Sequence, residues 1–149
     1  MRALSVGTQL CGSLLLLLSL FGCGKEAGRI PFRGEDSREV TMQLEAGDVA
    51  FWSDLDLAYE GDPALAYAIE LQQGSTVGRV ACDPLGTMTV KIGWVETQFG
   101  SSHSLSGSGK MLCRARVAKS GATRVRATLA FSTPPTSCTF KKADLVIKQ

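Results

Sequence analysis

Apolar and polar residues alternate along most of the chain after residue 37. The clearest run spans residues 49–59, where Val49, Phe51 and Leu55 fall on one face, and the other face carries Ala50, Trp52, Asp54, Asp56 and Ala58. Groups of Gly, Pro, Asp and Ser separate such runs every ~8–12 residues, as turns do between short strands. Alternation with a period of two is typical of strands that are buried on one side. The sequence therefore predicts an all-β fold, an antiparallel β-sandwich of about eight to nine strands over residues 37–149.

The N-terminal segment has a different character. Residues 10–20 are almost entirely apolar, a length that suits the hydrophobic part of a signal peptide and is too short for a membrane-spanning helix. The sequence Leu20-Phe21-Gly22-Cys23 follows directly. It resembles the lipobox of bacterial lipoproteins, which places an aliphatic residue, a small residue and a cysteine in this order.

The resemblance implies that residues 1–22, a signal helix, are removed and that Cys23 carries the acyl chains that hold the protein in a lipid bilayer. It also implies the bacterial cell envelope, and the outer membrane in particular, because Gly24 stands where inner-membrane lipoproteins carry Asp. The alternative is an ordinary secretory signal with Cys23 merely nearby. Residues 23–36 are rich in Gly and charge and are interpreted as a flexible tether before the domain at 37–149.

Charge is distributed unevenly along the chain. The net charge is only +2, which gives no reason to expect a nucleic-acid partner. Residues 23–70 nevertheless hold 4 basic and 11 acidic groups, and residues 71–149 hold 11 basic and 3 acidic groups. Oppositely charged strands that pair within one sandwich explain this asymmetry without a partner, and we favour that interpretation over a binding face.

Three cysteines remain after Cys11 and Cys23 are set aside. Outside the cytoplasm two of them are expected to pair, and the three pairings among Cys82, Cys113 and Cys138 stay open. We favour Cys82 with Cys113, because both lie within strand patterns, and we expect the third cysteine to be buried and inert. No cofactor is predicted, and the scattered cysteines lack the spacing of a metal site.

Trp52, Asp54 and Asp56 fall together on the face opposite the apolar one. An exposed indole beside carboxylates is a way to bind a sugar, because the ring stacks on the sugar and the acids accept its hydroxyl protons. The alternative is structural: Trp52 would cover Ala66 and Ala68 of a neighbouring strand, and Lys91 would meet one of the aspartates. Calcium binding by Asp54, Asp56 and nearby acids is disfavoured, since no calcium-loop motif is present.

Four arginines form a second candidate site. Arg114 and Arg116 precede a short turn, and Arg124 and Arg126 follow it. As one hairpin they would form a basic patch, with Lys110 and Lys119 at its ends, for anionic lipid headgroups, an acidic polysaccharide or a partner protein. Alternatively they form a charged face that keeps the domain soluble, or they pair with the acidic strands. His103, the only histidine, falls in a predicted polar loop at 96–109 and has no activating motif around it.

These features favour a membrane-anchored lipoprotein whose domain is a non-enzymatic binding or structural module. One alternative is a carbohydrate-binding module of the envelope that uses Trp52, and the strand pattern is similar to that of jelly-roll carbohydrate-binding modules. That likeness concerns architecture and implies no ligand, because no motif residue carries it. A small hydrolase is a second alternative. The expected partners are the bilayer, through acylated Cys23, and an envelope protein or polysaccharide.

Overall fold

The computed structural model describes residues 24–149, and this part of the chain contains nine strands and no helix. The predicted signal helix and Cys23 therefore lie outside the described residues. The strands are β1 (Glu26–Phe32), β2 (Asp36–Leu44), β3 (Gly47–Glu60), β4 (Ala64–Gln73), β5 (Thr76–Cys82), β6 (Val90–Phe99), β7 (Ser102–Val117), β8 (Gly121–Thr133) and β9 (Ser137–Lys148).

The strands form two antiparallel sheets. One sheet has five strands in the order β1-β9-β3-β7-β6, and the other has four strands in the order β2-β8-β4-β5. Strands that follow one another in sequence often belong to different sheets, as β2 and β3 do, and as β7 and β8 do. The predicted all-β sandwich is confirmed, and its strand number agrees with the expected eight to nine.

The core lies between the inner faces of the two sheets. On β3, Val49, Phe51, Leu55 and Leu57 are buried, and the residues between them are partly exposed, apart from the buried Ser53. This is the alternation that the sequence predicts. Tyr67 of β4 is fully buried and packs against Phe32 of β1, with ring centroids 5.8 Å apart. The core therefore joins β1 of the five-stranded sheet to β4 of the four-stranded sheet.

The tether predicted for residues 23–36 is wrong over most of its length. Residues Glu26–Phe32 form β1, an edge strand that pairs with β9 along its whole length. Ile30 and Phe32 are buried, while Pro31 between them is exposed. Proline is tolerated on an edge strand because one side of that strand needs no ladder hydrogen bond. The glycines and charged residues of this segment favoured the prediction of a tether, although Ile30 and Phe32 alternate with outward-facing residues as in a strand.

The polar loop predicted at 96–109 is also wrong. These residues belong to a hairpin in which β6 ends at Phe99 and β7 begins at Ser102. Gly100 in the turn has a φ of 62°, a left-handed value that glycine adopts at little cost. Serine and glycine are poor strand formers by propensity, so pairing with β3 and β6 decides the conformation of this part of β7.

Candidate functional site

The first and last described residues lie at the same end of the sandwich. The backbone N–H of Gln149 donates to the Lys25 carbonyl at 3.0 Å, and the Gln149 side-chain amide donates to the Glu45 carbonyl at 2.7 Å. The Ser120 hydroxyl donates to the Glu45 carboxylate at 2.9 Å. Gly24, the C-terminus and the turns after β2 and β7 thus share one end, which we call the Gly24 end.

Trp52, Asp54 and Asp56 lie on the outer face of the five-stranded sheet, as the alternation predicts. Each is partly exposed, while Phe51 and Leu55 on the same strand are buried. The Lys148 ammonium lies 4.1 Å from the centroid of the Trp52 ring. A cation over an indole face is attracted by the ring quadrupole, so one face of this ring is already covered.

The structural alternative for Trp52 is wrong in its details. Ala66 and Ala68 belong to β4, which lies in the other sheet. Lys91 lies over the Trp94 ring, 5.0 Å from its centroid, and forms no ion pair within residues 24–149. The alternation placed Trp52 correctly, but it could not identify the strand beside it.

Asp54 takes part in an ion-pair network on the same face. Arg29 of β1 donates from Nη1 to Asp54 and to Asp144, both at 3.0 Å, and its other donors bind Glu26. Lys142 of β9 also donates to Asp54. Burial raises the pKa of Asp54, but the hydrogen bonds from Lys142 and Arg29 outweigh it, so this pKa lies below its ordinary value. Asp54 is therefore held as a carboxylate.

A shallow cavity of about 290 Å³ lies on this outer face beside Trp52 and Asp54. Ser108, Ile92 and Lys148 also line it. Asp56 lies two residues further along β3 and does not line the cavity. The structure thus brings two of the three predicted ligand-binding residues to one cavity, together with Lys148, which sequence reasoning missed because it lies at the far end of the chain.

The basic patch predicted from one hairpin is wrong, because β7 and β8 belong to different sheets. Arg114 and Arg116 lie on the five-stranded sheet, and Arg124 and Arg126 lie on the four-stranded sheet. Arg126 binds Glu39 of β2 at 2.9 Å, and Arg124 approaches the same carboxylate at 3.4 Å.

Arg116, on the five-stranded sheet, also pairs with an acidic residue of the neighbouring strand: Asp48 of β3 lies 3.6 Å away. Three of the four arginines therefore meet acidic residues of β2 and β3, as expected when the two charged halves pair within the sandwich.

His103 lies in β7, directly opposite Tyr59 in the ladder. The two rings are stacked, with centroids 5.1 Å apart and planes 6° from parallel. The Tyr59 hydroxyl donates to Glu96 at 3.4 Å, and burial together with this carboxylate raises the pKa of Tyr59. Packing against an aromatic ring explains the position of His103.

Cys82 and Cys113 form a disulfide, as predicted, with Cα atoms 5.3 Å apart. It joins β5 of one sheet to β7 of the other. Cys138 is free and half-buried rather than fully buried, and burial raises the pKa of its thiol. A raised pKa keeps the thiol protonated and unreactive.

No three histidine, cysteine or acidic side chains in the described part of the chain are placed to hold a metal ion. No helix that could cross a membrane lies within residues 24–149. No protein-family model matches the chain, and the search of curated proteins finds no match either.

Proposed function

We propose that the protein is a lipid-anchored lipoprotein of the bacterial cell envelope, and that its β-sandwich is a non-enzymatic binding or structural module. The sequence Leu20-Phe21-Gly22-Cys23 carries this proposal. The position of β1 supports it, because the strand begins at Glu26, three residues after Cys23. Three extended residues span no more than about 10 Å, so acyl chains on Cys23 hold the Gly24 end close to the bilayer.

Anchoring of this kind is energetically sufficient. Each buried methylene contributes about 0.8 kcal/mol, and several acyl chains give a stable anchor where one chain is marginal. A disulfide between Cys82 and Cys113 also suits an oxidising compartment such as the envelope.

The test compares the full chain with a Cys23→Ala variant in a bacterial host. We expect the wild-type protein to appear in the membrane fraction with the mass of a diacylglyceryl and an acyl group on Cys23. The variant should lose this mass and leave the membrane fraction after signal processing, or remain as an unprocessed precursor. Cys138→Ala is the matched control and should behave as the wild type. A wild-type protein recovered with an unmodified Cys23 contradicts the proposal.

A carbohydrate-binding role is the second candidate, favoured by the cavity that Trp52, Asp54 and Ser108 share. A sugar ring that stacks on Trp52 would have to displace Lys148 or use the other face of the indole. Titration with envelope polysaccharides should then shift the tryptophan fluorescence. The shift should disappear in Trp52→Ala and persist in Trp94→Phe. A flat titration of the wild-type protein removes this candidate.

The hydrolase alternative would need Asp54, Asp56 or His103 to act on a substrate. Asp54 is engaged by two cations, which hold it as a paired carboxylate rather than a free acid or base. His103 stacks on Tyr59 and has no acidic side chain within ion-pair distance in the described residues. Hydrolysis of an ester or glycoside that is lost on His103→Ala or Asp56→Asn would overturn the non-enzymatic assignment.

A further inference from the structure

We propose that the outer face of the five-stranded sheet at the Gly24 end binds the anionic headgroups of the bilayer that holds the protein. This inference rests on the proposed anchoring at Cys23 and adds a second, electrostatic contact to it. The binding surface, which we call the basic cleft, is formed by Trp52, Lys110, Arg114 and Lys148 around a cavity of about 200 Å³.

The strand register explains why these residues converge. Lys110 of β7 lies opposite Trp52 in the ladder, and Arg114 of the same strand lies opposite Ala50. Lys148 of β9 lies opposite Ala50 on the other side of β3. Three cations from two strands therefore flank two consecutive outward positions of β3. Of the predicted basic patch, Arg114 and the flanking Lys110 take part.

The three cations of the basic cleft are less closely paired with acids than several other cations of the molecule, although Glu26 of β1 lies opposite Lys148 in the ladder. Arg29, Arg116, Arg124, Arg126 and Lys142 each meet a carboxylate within 4.0 Å. None of the three cations of the basic cleft does so within residues 24–149. Asp48 also lines the cavity, but Arg116 pairs with it. The cleft is thus left with an excess of positive charge, which suits a phosphate group.

Apolar residues border the cleft. Val90 of β6 lies opposite Lys110 and is 52% exposed, and Leu112, between Lys110 and Arg114 on β7, is 50% exposed. A surface that combines cations, an indole ring and exposed aliphatic side chains has the composition of surfaces that lie at the membrane interface. The apolar groups enter the headgroup boundary there, and the cations meet lipid phosphates.

The position of Gly24, the first described residue, favours the bilayer surface as the occupant of the cleft. Gly24 lines the cavity together with Lys148 and Gln149, and Cys23 is the next residue. Acyl chains on Cys23 therefore bring the bilayer surface to the cleft. Free phosphate would be bound by the same cations, but it would make no use of Val90 or Leu112.

The first test uses the acylated mature protein in vesicles of phosphatidylcholine alone and of phosphatidylcholine with phosphatidylglycerol. Trp94→Phe leaves Trp52 as the only tryptophan. We expect brominated lipid to quench Trp52 more strongly in the anionic vesicles, and high salt to remove the difference. The variant Lys110→Gln/Arg114→Gln/Lys148→Gln should lose the difference. The control Arg33→Gln/Lys91→Gln/Lys141→Gln removes equal charge elsewhere and should keep it.

A second test needs no substitution. Amine-reactive labelling of the wild-type protein in the same vesicles, read by mass spectrometry, should show Lys110 and Lys148 protected by phosphatidylglycerol and Lys141 labelled equally in both. Equal labelling of all three lysines in both vesicles overturns the inference. Inorganic phosphate that protects Lys110 and Lys148 in detergent as fully as the anionic vesicles do would assign the cleft to a soluble anion instead.

The mass of the acylated Cys23 peptide is measured in the same samples. Absence of the acyl mass would mean that the anchoring proposal has failed. Acylation without any effect of anionic lipid would mean that the anchoring holds and that only the headgroup site is wrong.

Discussion

Arg29 shows how a single side chain organises the outer face of the five-stranded sheet. Its guanidinium group binds Glu26 with two donors and reaches Asp54 and Asp144 with a third. The hydrogen bond from Arg29 lowers the pKa of Glu26, and the hydrogen bonds from Lys142 and Arg29 lower that of Asp54 against the effect of burial. A sequence pattern could not reveal this network, because its members come from β1, β3 and β9.

The lowered pKa values predict how stability depends on pH. A carboxyl whose pKa is lower in the folded state stabilises the fold above its unfolded pKa, about 3.9 for Asp and about 4.3 for Glu. This stability is lost as the pH falls through the folded pKa. We therefore expect the free energy of unfolding, measured with urea, to decrease below about pH 4. Asp54→Asn should make that decrease shallower.

Asp62→Asn is the matched control for this series. Asp62 is exposed in the turn between β3 and β4 and makes no ion pair within the described residues. Its pH profile should follow that of the wild-type protein. An Asp54→Asn profile that is parallel to the wild type down to pH 2 would contradict the role assigned to the network.

At the scale of elements, β1 is the clearest departure from the sequence prediction. Its inward residues Ile30 and Phe32 are fully buried, although Pro31 and several glycines and charges surround them. Ile30→Ala should destabilise the protein by about 2–5 kcal/mol, the usual cost of emptying a buried aliphatic site. Denaturant unfolding measures this. Arg33→Ala, just beyond the strand, should change stability by less than about 0.5 kcal/mol. Equal, negligible effects would mean that residues 26–32 are a tether after all.

The disulfide acts between elements, since it ties β5 at the edge of one sheet to β7 in the other. It closes a sequence separation of 31 residues. Cys82→Ala/Cys113→Ala should lower the free energy of unfolding by about 2–4 kcal/mol, because the unfolded chain regains entropy. Thermal unfolding without reductant measures the loss. Cys138→Ala is the control and should cost clearly less. A double variant as stable as the wild type would show that the two sheets need no covalent link.

At the scale of the whole molecule, the last strand, β9, holds the first strand, β1, in the five-stranded sheet. β9 lies between β1 and β3 in the five-stranded sheet, and Leu145 and Ile147 are fully buried. We expect a chain truncated after Lys142 to lose cooperative unfolding, because β1 then has no partner and the core is open. Far-UV circular dichroism during heating measures this. Removing Gln149 alone should leave the transition cooperative. A truncated chain with a sharp transition would contradict the central role of β9.

Charge pairing is also a property of the whole molecule. The acidic first half and the basic second half meet because β2 pairs with β8 and β3 pairs with β7. Glu39 accordingly binds Arg126, and Asp48 pairs with Arg116. The strand register also brings Lys110, Arg114 and Lys148 together at the Gly24 end, where none of them has a carboxylate within 4.0 Å in the described residues, so the basic cleft emerges only from the tertiary structure.

The sequence by itself determined the all-β class, the inward and outward faces of β3 and the lipobox-like segment ending at Cys23, whereas it favoured the pairing of Cys82 with Cys113 without fixing it. The strand class and the faces of β3 are readable from near neighbours, because side chains alternate every second residue along a strand, and the lipobox-like segment is a contiguous motif. Only the tertiary structure decided that β7 and β8 belong to different sheets, that residues 26–32 form a strand, and that Lys148 covers Trp52. Those outcomes depend on which distant strands pair, and a local period contains no information about the partner.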